Sequence, residues 1–573
     1  MLAVASILIV RLLSFQFYLD ANTQRILERN RESRLYQTVE VQPNRGQIYD
    51  RNGYLLATNS YDYRVGISPN AVVDRQAVAA ELAPLVGMTE DELYRALQPD
   101  ENGILPNYVL LASRVDFATG QKIINLDIDG IVMETLPKRV YPQGALTAQI
   151  VGLYAGADNT RAGRGYYGVE GFYDALLAGQ ARRMTLSVVP VVEESNPTYV
   201  RDGISLELTI DRDLQHLAQE VLDEAVQEHQ ASGGTIIIMN PRNGEILAIA
   251  NHPTFDPNNL TPETLELARN PAISDVYEPG SVFKVLTMAI ALDAGTHDLN
   301  WSYYDPGCFE AGGVNICNWD RRSHGNPDFA RVFIDSLNTG TATIFKEIGP
   351  YTVYPKLREF GIGSPTGVDL EGEASGILVE PGDPNWSEAQ FLNTSYGQGV
   401  SVTPLQMLTA VNAIANDGLI MQPHIVRARI DGDEVIETHP SASHRPISEE
   451  AAHTARDILV RVLQESDEIE FEFPGYNVAG KTGTAEIPTP YGYEPFAPGN
   501  SIASFVGFLP ADDPVVSVLI KLDRPYGYWG SKTAAPTFQK LLERLVVLME
   551  IPPDATRYAL MEQGGAPFMR EYE

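Results

Sequence analysis

A serine followed three residues later by a lysine, Ser281-x-x-Lys284, stands at the head of the apolar run Val282 to Leu292 in YEPGSVFKVLTMAIALDAG. A serine hydroxyl is a weak nucleophile at neutral pH and needs a neighbouring base, and a lysine serves only when its charged form is destabilised. Pro279 and Gly280 break the preceding segment, so the run predicts a buried helix with Ser281 at its N-terminus and Lys284 one turn on, on the same face. Burial there favours the neutral amine. The positive end of the helix favours a developing alkoxide and, later, an oxyanion. Taken alone, the pair also fits a helix cap followed by a solvated lysine; the apolar surroundings favour the chemical alternative.

Two further groups come later in the chain. Ser336-Leu337-Asn338 lies in RVFIDSLNTGTATIFKEIG, at a loop or helix edge ahead of Gly340. The triplet is common, and Ser68-Pro69-Asn70 matches it in the front of the chain without catalytic company; a simple helix cap is the bland alternative. Lys481-Thr482-Gly483-Thr484 lies in YNVAGKTGTAEI. A lysine and two hydroxyls on an edge strand can bind a carboxylate, and Gly483 lets backbone approach a ligand closely. Gly475-x-x-x-x-Gly480-Lys481-Thr482 also formally matches a phosphate loop. Such a loop must run into a long helix, which Gly483 and the proline-broken TAEIPTPYGYEPFAP cannot form.

The elements that hold these groups read as α+β. SLELTIDRDLQHLAQEVLDEAV passes from strand alternation into an amphipathic helix, and GGTIIIMNPRNGEILAIAN gives two β-rich runs about a turn, which predicts an antiparallel sheet covered by helices over 201–550. Residues 551–573 are punctuated by Pro and Gly and read as a loosely attached tail. Ahead of this lies a region, 20–200, with no catalytic constellation: VEVQPNRGQIYDRNGYLLATN predicts two extended segments about Asn52-Gly53, and Thr89 with Glu92 predicts a capped helix. Residues 1–19 are apolar except for Arg11 and, lacking a cleavage site, read as an uncleaved membrane anchor.

With 573 residues the chain holds two or three folded units. A net charge of -33 argues against a nucleic-acid partner, which needs a basic face. Two cysteines, Cys308 and Cys317, provide neither a disulfide scaffold nor a four-cysteine zinc site; they either pair across a short loop or stay as thiols.

The ordered trio Ser281-x-x-Lys284, Ser336-x-Asn338 and Lys481-Thr482-Gly483 resembles the signature of penicillin-binding proteins and serine β-lactamases. RGQIYDRNGYLLA, GVEGFYDALLAG, LTIDRDLQ, NPRNGEILAIANHPTFDPN and SYGQGVSVTPLQM resemble class B penicillin-binding proteins, over nearly the whole chain. That resemblance implies one transmembrane helix, an elongated non-catalytic pedestal of dimerisation type, and a C-terminal transpeptidase domain. It implies a peptidoglycan D,D-transpeptidase that needs no cofactor, acts on stem peptides ending in D-Ala-D-Ala outside the cytoplasm, and is inhibited covalently by β-lactams. There is no room for a glycosyltransferase domain, so a separate glycan polymerase, of the SEDS family, is the implied partner. Carried over by position, Ser281 is the nucleophile and Lys284 its base, while Ser336 relays the proton and Asn338 orients peptide and lysine. Lys481 and Thr482 hold the donor carboxylate on the strand that carries Gly483, and Thr484 shares the oxyanion hole with Ser281. A carboxypeptidase or β-lactamase would use the same trio with water as acceptor. A sensor or scaffold that had given up chemistry would not need all three motifs intact.

Overall fold

The computed structural model describes Arg11 and residues 36–41, 43–156, 163–187, 201–489, 492–527 and 529–562. Among them no helix is long and apolar enough to cross a membrane; the anchor expected over 1–19 lies, Arg11 aside, outside the described residues. The chain divides into two compact units, Met1–Gly46 with Ala175–Ile204, and Gln47–Asp174 with Ser205–Glu573. In the first unit Tyr36–Val41 pairs antiparallel with Arg182–Ser187, and the Asn44 N–H donates to the Asp202 carboxylate at 2.8 Å.

The second unit holds everything else. Its front part is built on the long strand Leu55–Ile67, which pairs antiparallel with Ile48–Tyr49, Val109–Val115 and Ile131–Val140. The hairpin expected at Asn52-Gly53 is present, with Gly53 at φ 80° and one Asp50 oxygen accepting from Asn52 and Tyr54 N–H at 2.9 and 2.7 Å. Helices Arg75–Val86 and Glu90–Ala96 bury Leu82 and Leu93 beneath this sheet, the second opened by the Thr89–Glu92 capping box. The same sheet then crosses the border expected at residue 201. Ile48–Tyr49 pairs parallel with Ser205–Leu208, which pairs antiparallel with Val426–Asp431.

The five-stranded sheet that carries the site comprises β1 (Gly233–Met239), β2 (Ile246–His252), β3 (Ala479–Glu486), β4 (Ser501–Leu509) and β5 (Val516–Asp523). Their order is β2-β1-β5-β4-β3, antiparallel throughout, so β3 lies at an edge with one side open. Helices α1 (Arg212–Glu228) and α6 (Ala534–Leu548) pack on each other and on the sheet. A second group comprises α2 (Lys284–Asp293), α3 (Asn338–Ile348), α4 (Pro404–Ala415) and α5 (Glu449–Glu465); α4 and α5 meet the sheet, and α2 packs against α3, α4 and α5. Helices on both faces explain why β1 reads as an unbroken apolar run rather than an alternating one: every one of its residues is buried.

The tail expected to be loose from residue 551 is anchored as far as Arg557, and residues 558–562 continue the helix exposed. Helix Asp554–Glu562 is fixed by the Asp554 carboxylate, which accepts from Asn477 N–H at 2.6 Å, and by Arg557, buried against Asp554 and Asp512. These polar anchors are long-range, so the local Pro and Gly content does not announce them.

The sheet depends on aromatic packing against α6, where the rings of Phe505 and Phe538 lie 4.3 Å apart, both fully buried. Phe538→Ala is expected to lower stability by about 3–5 kcal/mol through transfer and cavity terms. Urea unfolding followed by circular dichroism measures it; a loss within error of zero would mean that the pocket refills.

Candidate active site

Ser281 lies in a 3-10 turn, Gly280–Phe283, that runs directly into α2, and Lys284 is the first residue of that α-helix. The turn is made possible by Gly280 at φ 57°, where a Cβ would stand 2.6 Å from the Thr484 carbonyl oxygen. The turn carrying Ser281 therefore lies directly on edge strand β3. Lys284 is completely buried, at 0% exposure.

Asn338 opens α3. The preceding Ser336 holds φ 54°, a left-handed conformation that a residue with a side chain adopts at some cost. Its C-terminal neighbours keep it there. Leu337 N–H donates to Val332 O at 2.8 Å, and Thr339 is anchored on a buried carboxylate, donating to Asp305 Oδ1 at 2.8 Å. Asp305 also accepts from Gly307 N–H, Asn318 Nδ2 and His324 N–H, each at 2.9 Å. Cys308 and Cys317 are paired by a disulfide across the hairpin Cys308–Ala311 and Val314–Cys317, and the Cys317 carbonyl accepts from Asn338 Nδ2 at 2.9 Å. That bond leaves Asn338 Oδ1 facing the lysine.

The three motifs meet on one hydroxyl. Lys284 Nζ lies 2.7 Å from Ser336 O, 2.6 Å from Asn338 Oδ1 and 3.1 Å from Ser336 Oγ. Ser336 Oγ lies 3.2 Å from Ser281 Oγ and 3.2 Å from Lys481 Nζ. Among the described residues, Lys284 thus reaches Ser281 through Ser336 rather than by a bond of its own. Lys284 Nζ donates to the carbonyl, the amide oxygen and the Ser336 hydroxyl, and that hydroxyl donates in turn to Ser281 Oγ. Burial drives the Lys284 pKa well below the ordinary lysine range, and the nearby charge of Lys481 drives it further. Burial also lowers Lys481, to about 8.

On β3, Lys481 is 2% exposed and Thr482 is half-buried. Gly483 is the point of closest approach: a Cβ there would meet Ser504 Oγ at 2.5 Å, Val282 Cγ1 at 2.9 Å and Pro279 O at 3.0 Å. Thr484 Oγ1 accepts from Gly530 N–H at 2.9 Å, fixing the segment after β5 against the strand. Ser281, Ser336, Asn338, Lys481, Thr482 and Thr484 all line one cleft which, with its open mouth, encloses about 960 Å³. Gly483 lies behind its wall. The formal phosphate-loop match is explained as strand: Lys481 follows Gly480 within β3, and no helix follows.

Sequence reasoning missed several residues. Tyr396 and Gln398 form part of the cleft wall, and Trp319 and Trp529 meet edge to face at its mouth, 5.9 Å between centroids. The Gly397-Gln398-Gly399 pattern carried a signal for the first two, since paired glycines mark close backbone approach. Nothing local points to Trp319 or to Asp305, which reach the site through the disulfide hairpin.

A serine, two buried lysines and an asparagine gathered at the edge of a helix-covered antiparallel sheet define a serine-type acyltransferase. Residues 234–543 match the penicillin binding protein transpeptidase domain and residues 40–192 the penicillin-binding protein dimerisation domain, so the chain belongs to the class B penicillin-binding proteins and is a peptidoglycan D,D-transpeptidase. It is 32% identical over 532 residues to stage V sporulation protein D of Bacillus subtilis (strain 168), across 90% of this chain and 80% of that protein. To the probable peptidoglycan D,D-transpeptidase PenA of Neisseria meningitidis it is 28% identical over 561 residues, across 96% of this chain and 92% of that one. The solved structure of penicillin binding protein 3 from Mycobacterium tuberculosis, complexed with aztreonam, superposes with a TM-score of 0.68 at 27% identity, covering 90% of this chain and 98% of that one. Penicillin binding protein 2X from Streptococcus thermophilus shares the fold with a TM-score of 0.76 at 23% identity, covering 89% and 80%.

Gly483→Ala tests the close approach of β3 to the turn carrying Ser281. The added methyl has no free space, so the strand must move away from Pro279 and Val282. Covalent labelling by a fluorescent penicillin is expected to slow by at least about tenfold with the fold retained; an unchanged labelling rate would show that the spacing is slack.

Proposed function

We propose that this transpeptidase works through an acyl-enzyme on Ser281, with Lys284 as base and Ser336 as the proton carrier between them. The supporting observation is the buried amine of Lys284, held by two acceptors so that its third position faces Ser336 Oγ, which in turn faces Ser281 Oγ. The Ser281 proton passes through Ser336 to neutral Lys284 as Ser281 Oγ bonds to the carbonyl carbon between the two terminal D-alanines of a stem peptide. The carbonyl π electrons move onto oxygen, where the backbone N–H groups of Ser281 and Thr484 stabilise the oxyanion by a few kcal/mol per donor. Collapse breaks the peptide bond. The leaving D-alanine amine takes the proton back from Lys284 by way of Ser336. An amine from a neighbouring stem peptide then attacks the ester, loses a proton to the same relay and releases Ser281 as the cross-link forms.

Charged Lys481 and the Thr482 hydroxyl take the donor's terminal carboxylate; a β-lactam carboxylate occupies the same place, and opening of its ring esterifies Ser281. Asn338 holds Lys284 and the peptide. The anchor over 1–19 places this domain outside the cytoplasm, a setting with which the Cys308–Cys317 disulfide agrees. A separate membrane glycan polymerase of the SEDS family supplies the strands to be joined.

Ser281→Ala is expected to abolish labelling by fluorescent penicillin; persistent labelling removes Ser281 from this role. Stem peptide supplied with an amine acceptor should yield amide product, and free acid alone would mean a hydrolase. With Lys481 titrating at about 8, its charge, and hence carboxylate binding, declines above that pH. KM for a carboxylate-bearing thioester donor should rise there while kcat holds. The corresponding amide-capped donor should show no such rise; parallel profiles for the two donors would place carboxylate recognition elsewhere.

A further inference from the structure

Glu278, three residues ahead of Ser281, takes no part in the chemistry above, yet its residue is only 6% exposed. Burying a carboxylate costs free energy unless donors replace water, so its partners matter. One oxygen accepts from Gly399 N–H at 2.9 Å, and the Tyr493 hydroxyl donates to the pair of oxygens at 3.2 and 3.0 Å. These donors come from two separate segments. Gly399 ends the stretch 396–399, whose Tyr396 and Gln398 line the cleft with Ser281. Tyr493 belongs to the short hairpin of Pro488–Thr489 with Gly492–Tyr493, just beyond β3.

Backbone contacts link the same parts. Gly280 N–H donates to Gly397 O at 3.1 Å, and a Cβ on Gly397 would stand 2.2 Å from Gly280 O. The cleft wall and the nucleophile turn therefore touch main chain to main chain, and neither moves without the other. Gln398 Nε2 donates to Glu486 Oε2 at 2.9 Å, tying the wall to the end of β3 as well.

We propose that Glu278 is a positioning residue for acyl transfer: its carboxyl oxygens, by accepting from Gly399 N–H and the Tyr493 hydroxyl, bind the 396–399 wall and the Tyr493 hairpin to the turn carrying Ser281. This rests on Ser281 being the nucleophile. The groups that face Glu278 are Glu486 from β3, Tyr396 from the wall and Tyr493 from the hairpin. Burial pushes the Glu278 carboxyl up to about 7 against the pull of its Gly399 and Tyr493 donors, and Glu486 adds repulsion. Burial and the neighbouring carboxylates raise both phenols, so each stays protonated and able to donate. Because burial raises this pKa, the proton is held more tightly in the tied arrangement than in water, so the tie does not depend on the carboxyl being ionised.

The test measures the rate of acylation by fluorescent penicillin on the full chain from about pH 5.5 to about pH 8.5 for wild type, Glu278→Gln, Tyr493→Phe and Ser281→Ala. Glu278→Gln, which replaces one of the two acceptor oxygens with a donor, should be about tenfold slower across the range, with its thermal midpoint little changed. Tyr493→Phe removes one donor to Glu278 and should slow acylation in the same direction by a smaller factor. A Glu278→Gln rate equal to wild type, or a Tyr493→Phe rate equal to wild type, overturns the proposal. Should Glu278→Gln not fold, Tyr493→Phe decides alone. Labelling of Ser281→Ala would instead defeat the acyl-enzyme reading, whatever Glu278 does.

Discussion

The site depends on a buried primary amine whose surroundings make protonation costly. Removing an ammonium from water carries a large penalty unless partners compensate, and Lys284 has only neutral acceptors: a carbonyl, an amide oxygen and a hydroxyl. Among the described residues no carboxylate is bonded to it. The charge that acts on it is that of Lys481, which has the same sign. Desolvation and repulsion act in one direction, and the hydrogen bonds fix where the amine points without restoring its charge. An aspartate in place of Asn338 would lose the donor to the Cys317 carbonyl and would stabilise the lysine cation.

That constraint accounts for much of the architecture around it. Lys284 is buried because α2 is packed by α3, α4 and α5, and Ser281 remains reachable because the turn ahead of α2 rests on a sheet edge. An interior strand would have neighbours on both sides; β3 has β4 on one side and a cleft on the other. The contact between turn and edge is closer than side chains allow: Gly280 faces the Thr484 backbone, and Gly483 faces Pro279 O and the Val282 side chain. Edge strands are hazards for aggregation. Here the turn carrying Ser281 and the Trp529–Ser531 segment cover part of the strand.

Much of this was legible in the sequence because it is local. The Ser281–Lys284 spacing, the apolar run behind it, the hairpin at Asn52-Gly53 and the capping box at Thr89 each express rules that span a few residues. What could not be read is non-local. Ser336 reaches a left-handed conformation through anchors at Val332 and Asp305, and the partners of Asp305 span residues 307–339. The cysteine spacing left pairing open because geometry, and not spacing, decides it. The packing of the tail beyond residue 551 is hidden for the same reason: Asp554 and Arg557 are held by Asn477 and Asp512.

The two flanks of the cleft are secured by different physics. On the Asn338 side the supports are a disulfide, a buried aspartate with four donors and main-chain bonds. These are a covalent bond, main-chain bonds and a carboxylate that four donors fix in place. On the Ser281 side the wall is held by Glu278, a carboxylate that desolvation and Glu486 push toward neutrality. Gln398 and Tyr396 share no hydrogen bond with Ser336, Lys284 or Asn338 among the described residues, so the wall reaches the three motifs through the bond from Gly280 N–H to Gly397 O beside Ser281. The division of labour follows from where the fold places its buried charges.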